Sequence, residues 1–251
     1  MKNSIVSIVT ASYNSEAQIR QTYESIKSQS YSSWEWVVTD DCSTDGTYGL
    51  LLSIAEKDFR VKVFRNDLNL GAAESRNKSL LNVRGSYIAF IDSDDIWLED
   101  KLLTQLSFME MGVDFSFTAY ELIESSGKRL GIVVDGSQIG SFSYDDMLRK
   151  KATMGCSTVM IRRNAFKDLQ MPLLRTGQDY AFWLKLLKTG VRAHVVNKVL
   201  TQYRILPNSI SRNKLKKARR QWQIYREFEQ LSVLSSLVNF YFYSFRAVFR
   251  K

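Results

Sequence analysis

Short apolar runs alternate with amphipathic segments along the first ninety residues. The runs are rich in β-branched and aromatic residues, which is typical of strands, and they occupy residues 5–11, 34–39, 61–64 and 87–91. The segments between them carry apolar residues at helical spacing, as at Ile19, Tyr23 and Ile26. Strands that alternate with such helices imply right-handed βαβ crossovers. The pattern therefore predicts an α/β domain with a mostly parallel sheet flanked by helices.

The second half of the chain is less regular. Residues 115–124 and 130–134 flank a polar turn and are typical of a hairpin. A strand is expected over residues 157–161 and a helix over residues 163–169, and Asp179 opens a strongly apolar helix that ends near Gly190. Composition changes sharply at Arg212. We therefore predict one domain over residues 1–211 and a helical, basic and aromatic tail over residues 212–251.

Composition narrows the class of protein. The 35 basic and 26 acidic residues give a formal net charge of +9, which favours anionic partners such as a nucleotide, an acidic lipid surface or nucleic acid. Two cysteines make no disulfide framework, so a reducing, cytoplasmic setting is expected. We see no secretory signal and no charge-free apolar stretch of membrane-spanning length.

Three carboxylates follow the fourth predicted strand within four positions. Asp92, Asp94 and Asp95 would repel one another unless a cation offsets their charge. Their oxygen ligands suit Mg²⁺ or Mn²⁺, which usually bind one or two carboxylates together with substrate phosphates. A helix cap near Leu98 would explain only one of them. The chain also lacks the glycine-rich phosphate loops of dinucleotide-binding and P-loop proteins, so a metal ion is the expected partner of a diphosphate.

An ordered set of motifs resembles the family 2 glycosyltransferases of the GT-A fold, in particular bacterial members that build surface polysaccharides. The set comprises Ser12-Tyr13-Asn14, Asp40-Asp41, Asn69-Leu70-Gly71, Arg76-Asn77, Asp92-Ser93-Asp94-Asp95 and Gln178-Asp179, and it covers roughly residues 4–211. The resemblance implies a metal-dependent, inverting hexosyltransferase. Such an enzyme would move a sugar from a UDP-sugar to a hydroxyl of a glycan acceptor, expected to be lipid-linked.

The resemblance also implies a role for individual residues. Asp179 would be the catalytic base and Asp94 the ligand of the metal ion, Mn²⁺ or Mg²⁺. The nucleotide-sugar would contact Ala11, Tyr13, Asp41, Arg76, Asp92, Ser93 and Arg204. Three of these roles have a structural alternative: core packing for Tyr13, a surface salt bridge for Arg76 and a helix N-cap for Asp179.

The tail allows two interpretations. Its basic run over residues 212–220, followed by aromatic residues, suits an interfacial helix on an anionic membrane surface. It equally suits a helix packed on the catalytic domain with a solvated basic face. We expect peripheral association with the inner face of the cell membrane, because a lipid-linked acceptor would lie there.

Two other functions remain as alternatives. A sugar-phosphate nucleotidyltransferase also combines an α/β sheet with acidic metal ligands, but it needs a glycine-rich, basic N-terminal loop that residues 12–15 do not supply. A nucleic-acid-binding module would use the positive charge, but the cations concentrate in the tail and no nucleic-acid motif is present. We therefore expect no nucleic-acid partner.

Overall fold

The computed structural model describes residues 4–206 and 214–249. Within these ranges ten strands form one sheet in the order β3-β2-β1-β4-β9-β6-β10-β5, with β7 paired to β6 and β8 to β10. The strands are β1 Val6–Ser12, β2 Trp34–Asp40, β3 Val61–Arg65, β4 Tyr87–Phe90, β5 Ile96–Trp97, β6 Phe115–Glu124, β7 Arg129–Val134, β8 Ser141–Phe142, β9 Met160–Arg162 and β10 Ala193–Ile205. The helices are α1 Ile19–Lys27, α2 Thr47–Ala55, α3 Ala72–Leu80, α4 Lys101–Met109, α5 Tyr144–Leu148, α6 Gln178–Leu187, α7 Lys214–Gln223 and α8 Val233–Phe249.

The predicted α/β class is confirmed. Strands β1 to β4 are parallel and are joined through α1, α2 and α3, as the alternating pattern requires. The second half continues the same sheet with mixed directions, because β9 runs antiparallel to both β4 and β6 while β10 is parallel to β6.

Two element predictions in the second half were wrong. The predicted strand over residues 157–161 is displaced to Met160–Arg162, and Cys156–Thr158 forms a 3-10 turn in front of it. The predicted helix over residues 163–169 is reduced to the single 3-10 turn Arg163–Ala165, after which Phe166 is extended. Phe166 is buried, whereas most of its neighbours in this segment are exposed or half-buried. The segment therefore has no continuous apolar face on which a helix could pack.

Apolar layers cover both faces of the sheet. One layer packs α1, α2 and α4 against the sheet, as the burial of Ile19, Leu51 and Leu106 shows. The other layer packs α3, α5 and α6 against the opposite face, with Phe182 and Trp183 at its centre. The sheet is therefore held rigidly from both sides, which fixes the loops at its carboxyl edge.

The C-terminal helices pack on the second layer. Tyr225, in the π-helical turn Ile224–Phe228 after α7, is fully buried and donates a hydrogen bond to the carbonyl of Leu148. Glu229 accepts a hydrogen bond from Tyr144 and pairs with Lys188 at 2.6 Å. The inner side of the tail is thus a packed part of the protein. The predicted boundary at residues 211 and 212, and the start of the basic run, lie outside the described residues.

No helix of the described ranges combines the length and the apolar character needed to cross a bilayer.

Candidate active site

The candidate site lies where three neighbouring parallel strands end. The carboxyl ends of β2, β1 and β4 lie side by side, so the loops that follow them meet at one edge of the sheet. These loops carry Tyr13, Asp41 and the acidic segment from Asp92 to Asp95. Open α/β sheets bind their ligands at this edge.

Asp95 anchors the acidic loop from inside the protein. Its carboxylate accepts hydrogen bonds from the Ser157 hydroxyl at 2.5 Å and from the Arg204 backbone N–H at 2.8 Å. Ser157 also accepts the backbone N–H of Asp92 at 2.9 Å, so one hydroxyl holds both ends of the loop. Asp95 is only 1% exposed, and this burial raises its pKa well above the ordinary value. Its role is therefore structural.

Asp94 is only partly buried. Its carboxylate forms no hydrogen bond or ion pair with a side chain of the described residues. Burial and the neighbouring Asp92 charge raise the pKa of Asp94 to about 7. A carboxylate that is crowded by another negative charge and forms no ion pair of its own is a suitable cation ligand.

The chemistry of this donor set fits a cation shared with the substrate. Within the described residues no group of three or more His, Cys, Asp or Glu side chains could hold a metal ion by itself. Mg²⁺ and Mn²⁺ sites commonly use only one or two carboxylates and complete their coordination with substrate phosphates. Asp94 therefore fits a metal ion that arrives together with a diphosphate.

Arg76 links the acidic loop to the predicted base. It is 4% exposed, and its guanidinium forms an ion pair with Asp92. The Nε and Nη1 atoms of Arg76 are buried without a hydrogen-bond partner in the described structure. Asp179 also lies within electrostatic range of this guanidinium. The ion pair of Arg76 is thus internal, in contrast to the surface salt bridge that we had kept as an alternative.

Asp179 lies in the first turn of α6, after Gly177 in the left-handed conformation. Its carboxylate accepts the backbone N–H of Tyr180, as expected for a helix N-terminus. Burial raises the pKa of Asp179, and the charge of Arg76 opposes that rise. The capping contact of Asp179 therefore coexists with a position within electrostatic range of Arg76 and Asp92.

The residues expected around the nucleobase occupy the other side of the site. The Tyr13 side chain is 47% exposed, so it does not have the core-packing role that we had kept as an alternative. Asp41 is buried and accepts the backbone N–H groups of Leu70 at 2.9 Å and Gly71 at 2.7 Å, and Asn66 adds a third donor. A carboxylate has about four acceptor positions, so one remains on Asp41 Oδ2.

Two further predicted contacts lie beside the acidic loop. The Ser93 hydroxyl is 2.7 Å from that of Ser15 and joins the loop to the one after β1. Ala11 is partly buried near the end of β1.

Arg204 is 2% exposed and its guanidinium is occupied by the protein. Nε donates to the carbonyl of Asp94 at 2.7 Å, Nη1 to the carbonyl of Ser125 at 2.8 Å, and Nη2 to Gln21 Oε1 at 2.8 Å. A contact with a diphosphate would require some of these bonds to exchange. That role stays a prediction, whereas the contacts themselves hold the acidic loop against β10.

Sequence reasoning missed three residues that shape the site. Ser157 lies 62 positions after Asp95, so no local pattern connects them. Arg220 and Tyr243 belong to the tail, yet both interact electrostatically with Asp179. The basic run drew attention to Arg220 only as a membrane-facing cation. A long-range contact of this kind has no signal in a single sequence.

Known proteins match the chain over most of its length. The family description "Glycosyl transferase family 2" matches residues 7–170. A relative from Bacillus subtilis, the putative teichuronic acid biosynthesis glycosyltransferase TuaG, is 44% identical over 245 residues, which are 97% of this chain and 96% of the relative. The Escherichia coli UDP-Glc:α-D-GlcNAc-diphosphoundecaprenol β-1,3-glucosyltransferase WfaP is 39% identical over 86% of this chain and 84% of its own.

Solved structures share the fold. Residues 1–349 of S. aureus TarS in complex with UDP-GlcNAc superimpose with a TM-score of 0.71 at 19% identity, covering 95% of this chain and 70% of that one. The mannosyltransferase PcManGT from Pyrobaculum calidifontis, in complex with GDP-Man and Mn²⁺, gives a TM-score of 0.70 at 17% identity, covering 90% and 64%. The family match and the 44% identical relative show that the chain belongs to glycosyl transferase family 2.

Proposed function

We propose that the protein is a metal-dependent, inverting hexosyltransferase that moves a sugar from a UDP-sugar to a hydroxyl of a lipid-linked glycan during surface polysaccharide biosynthesis. The observation that carries this proposal is that Asp94 and Asp179 both lie within electrostatic range of the Arg76–Asp92 ion pair. Asp94 forms no ion pair of its own within the described residues, and Asp179 lies in the first turn of α6. The named activities of the bacterial relatives support the donor and acceptor classes.

The donor nucleotide fits the side of the site that carries Tyr13 and Asp41. The exposed Tyr13 ring offers a face on which a base can stack. The remaining acceptor position of Asp41 Oδ2 suits the imide N–H of uracil, a donor that cytosine and adenine do not present at that position. UDP bound to a neighbour of the same fold is consistent with this choice.

Asp94 is the residue that would hold Mn²⁺ or Mg²⁺ against the diphosphate. Bound there, the ion would supply Lewis-acid stabilisation of the negative charge that develops on the leaving UDP. The contribution of the chain is positional: Ser157 and Arg204 hold the loop through the Asp95 carboxylate, the Asp92 backbone N–H and the Asp94 carbonyl, and these contacts do not use the Asp94 carboxylate. Loss of a contact that orients a metal ligand commonly weakens metal affinity by about 10–100-fold.

Asp179 would accept the proton of the acceptor hydroxyl. The hydroxyl oxygen attacks the anomeric carbon, the bond from that carbon to the UDP oxygen breaks on the opposite face, and the configuration inverts. Arg76 lies between Asp92 and Asp179 and limits repulsion between them. The raised pKa of Asp179 makes its carboxylate a stronger base than that of an ordinary aspartate.

The outer face of α8 supports membrane association. Its exposed side chains form a stripe at helical spacing, which we call the α8 stripe: Leu234, Leu237, Val238, Tyr241 and Phe245. Five exposed apolar side chains on one helix exceed the scattered exposure that is normal for a surface. The net charge of +9 would favour an anionic leaflet. We therefore propose that the protein binds the inner face of the cell membrane peripherally.

A transfer assay tests the proposal. Purified protein would be incubated with Mn²⁺, a panel of UDP- and GDP-sugars and a sugar linked to a lipid diphosphate, and the product linkage would be read by NMR. We expect transfer from a UDP-sugar with inverted anomeric configuration. Asp179→Asn should abolish transfer, and Asp168→Asn, an exposed aspartate paired with Lys185, should not. Product with retained configuration, or transfer that survives Asp179→Asn, would reject the proposed mechanism.

A further inference from the structure

A cavity of about 680 Å³ opens between the β6–β7 hairpin and helix α8. Its walls come from Tyr120 on β6, from the end of β7 through residues 134–137, from Lys150 and Thr153 after α5, and from Arg246 on α8. None of the residues assigned to the donor nucleotide or to the metal ion lines this cavity.

The chemistry of the cavity is divided between apolar and cationic walls. Ile132 and Val133 of β7 are 53% and 45% exposed, so this edge of the hairpin presents apolar surface. Lys150 and Arg246 provide two cations from separate elements. Asp135 also lines the cavity, but it is only 4% exposed, and its carboxylate accepts hydrogen bonds from the backbone N–H groups of Thr153 and Met154. The pattern suits a ligand with an anionic group attached to an apolar chain.

The cavity adjoins the active site along two aromatic contacts. The Tyr120 ring lies 5.5 Å from the Tyr203 ring, and Tyr203 interacts electrostatically with Asp92 and Asp94. On the other side, Lys150 Nζ lies 4.6 Å from the centroid of the Tyr243 ring, and Tyr243 interacts with Asp179. Tyr203 directly precedes Arg204, which donates to the Asp95 carboxylate and to the Asp94 carbonyl, so the Tyr120–Tyr203 pair separates the cavity from the acidic loop.

We propose that this cavity binds the diphosphate and the first lipid units of the acceptor, with Lys150 and Arg246 pairing with the diphosphate and β7 covering the lipid. The inference rests on the proposed function, because it assigns a position to the acceptor of that reaction. The acceptor sugar would then extend past Tyr120 and Tyr243 towards Asp179. The α8 stripe lies on the helix that also supplies Arg246, so the lipid could continue from the cavity into a membrane.

Binding of a sugar-free probe tests the cavity directly. Geranylgeranyl diphosphate would be titrated into the full chain in the presence of saturating UDP and Mn²⁺, so that the donor site is filled. We expect binding, and we expect Lys150→Gln and Arg246→Gln each to weaken it by about tenfold, the loss of one charged contact with a phosphate. Arg246→Lys should restore most of the affinity. Lys151→Gln, which removes an exposed neighbouring cation paired with Asp146, is the matched control and should bind as wild type.

Kinetics separate this inference from the proposed function. With an acceptor that carries the lipid diphosphate, Lys150→Gln and Arg246→Gln should raise KM about tenfold and leave kcat nearly unchanged. With the same sugar on a neutral alkyl chain, KM should not respond to either substitution. Equal effects on both acceptors, no effect on either, or failure of the probe to bind while UDP fills the donor site would overturn the inference. Absence of transfer from every UDP-sugar by the wild type would instead overturn the proposed function.

Discussion

Replacing Ser157 with alanine should loosen the loop that carries Asp94. The Ser157 hydroxyl donates to Asp95 at 2.5 Å and accepts the backbone N–H of Asp92 at 2.9 Å. Ser157→Ala removes both bonds without adding bulk. The substitution therefore removes the hydroxyl partner of Asp95 Oδ2 and of the Asp92 backbone N–H, two groups at the ends of the acidic loop.

The cost follows from the burial of the two partners. Each buried polar group that loses its hydrogen bond costs about 1–3 kcal/mol, so the loss of two partners in Ser157→Ala should lower the free energy of unfolding by about 2–6 kcal/mol. Because Asp95 is only 1% exposed, the free-energy cost of its lost hydrogen bond should lie at the upper end of the range for one group. The same loosening should weaken the apparent affinity for Mn²⁺ by about 10–100-fold, the range for residues that orient a metal ligand.

Two measurements on two variants test this reasoning. Urea unfolding gives the stability, and the Mn²⁺ dependence of sugar transfer gives the apparent metal affinity. Ser79→Ala is the control, because it removes a buried hydroxyl contact with Thr39 at 2.8 Å on α3, outside the acidic loop. We expect both variants to lose stability and only Ser157→Ala to need more Mn²⁺. If the Mn²⁺ requirement of Ser157→Ala equals that of wild type, this hydroxyl does not position Asp94.

Three further predictions concern the base, the nucleotide and the membrane. Burial raises the pKa of Asp179, and only the ionised carboxylate can accept a proton, so kcat/KM should fall with decreasing pH at a value above that of an ordinary aspartate. A flat pH–rate profile down to pH about 4 would contradict this. Tyr13→Ala should weaken UDP binding in calorimetry by about tenfold, because the stacking contact with the base is lost. The control Tyr48→Ala removes an α2 tyrosine that lies under the Arg65 guanidinium and should leave UDP binding unchanged. Equal losses of affinity in the two variants would argue against a stacking role for Tyr13. Leu234→Glu with Leu237→Glu should reduce sedimentation with anionic vesicles by about tenfold or more, whereas Phe59→Glu, at a residue that is 93% exposed and distant from α8 in sequence, should leave it unchanged. Unaltered sedimentation of the α8 variant would rule out the stripe as the membrane contact.

The elements that depend on neighbouring residues in the chain could be predicted from the sequence. Strands β1 to β4 and the helices between them follow from apolar periodicity, and the acidic loop after β4 was recognisable from its charge alone. The structure places Asp179 within electrostatic range of Arg76, and its role as the base stays a prediction. The strands, the helices and the acidic loop are predictable because each depends on a few adjacent residues and on the general geometry of parallel sheets.

Long-range contacts could not be predicted in the same way. Arg204 was expected to be available for a phosphate, but its donors are occupied by the carbonyls of Asp94 and Ser125 and by Gln21, which are distant in sequence. The tail was described as either a membrane helix or a packed helix. The structure packs its inner face through Tyr225 and leaves the α8 stripe exposed on the other. Which face of a helix is covered depends on tertiary packing, and amphipathic composition does not specify the partner.

The central claim is that Asp94 and the diphosphate of the donor bind one divalent ion between them. Calorimetry of UDP binding to wild type and to Asp94→Asn, each with and without Mn²⁺, tests it most directly. We predict that Mn²⁺ strengthens UDP binding to the wild type and has little effect on Asp94→Asn, while the two proteins bind UDP similarly without metal. Equal enhancement by Mn²⁺ in both proteins, or none in the wild type, would contradict the claim.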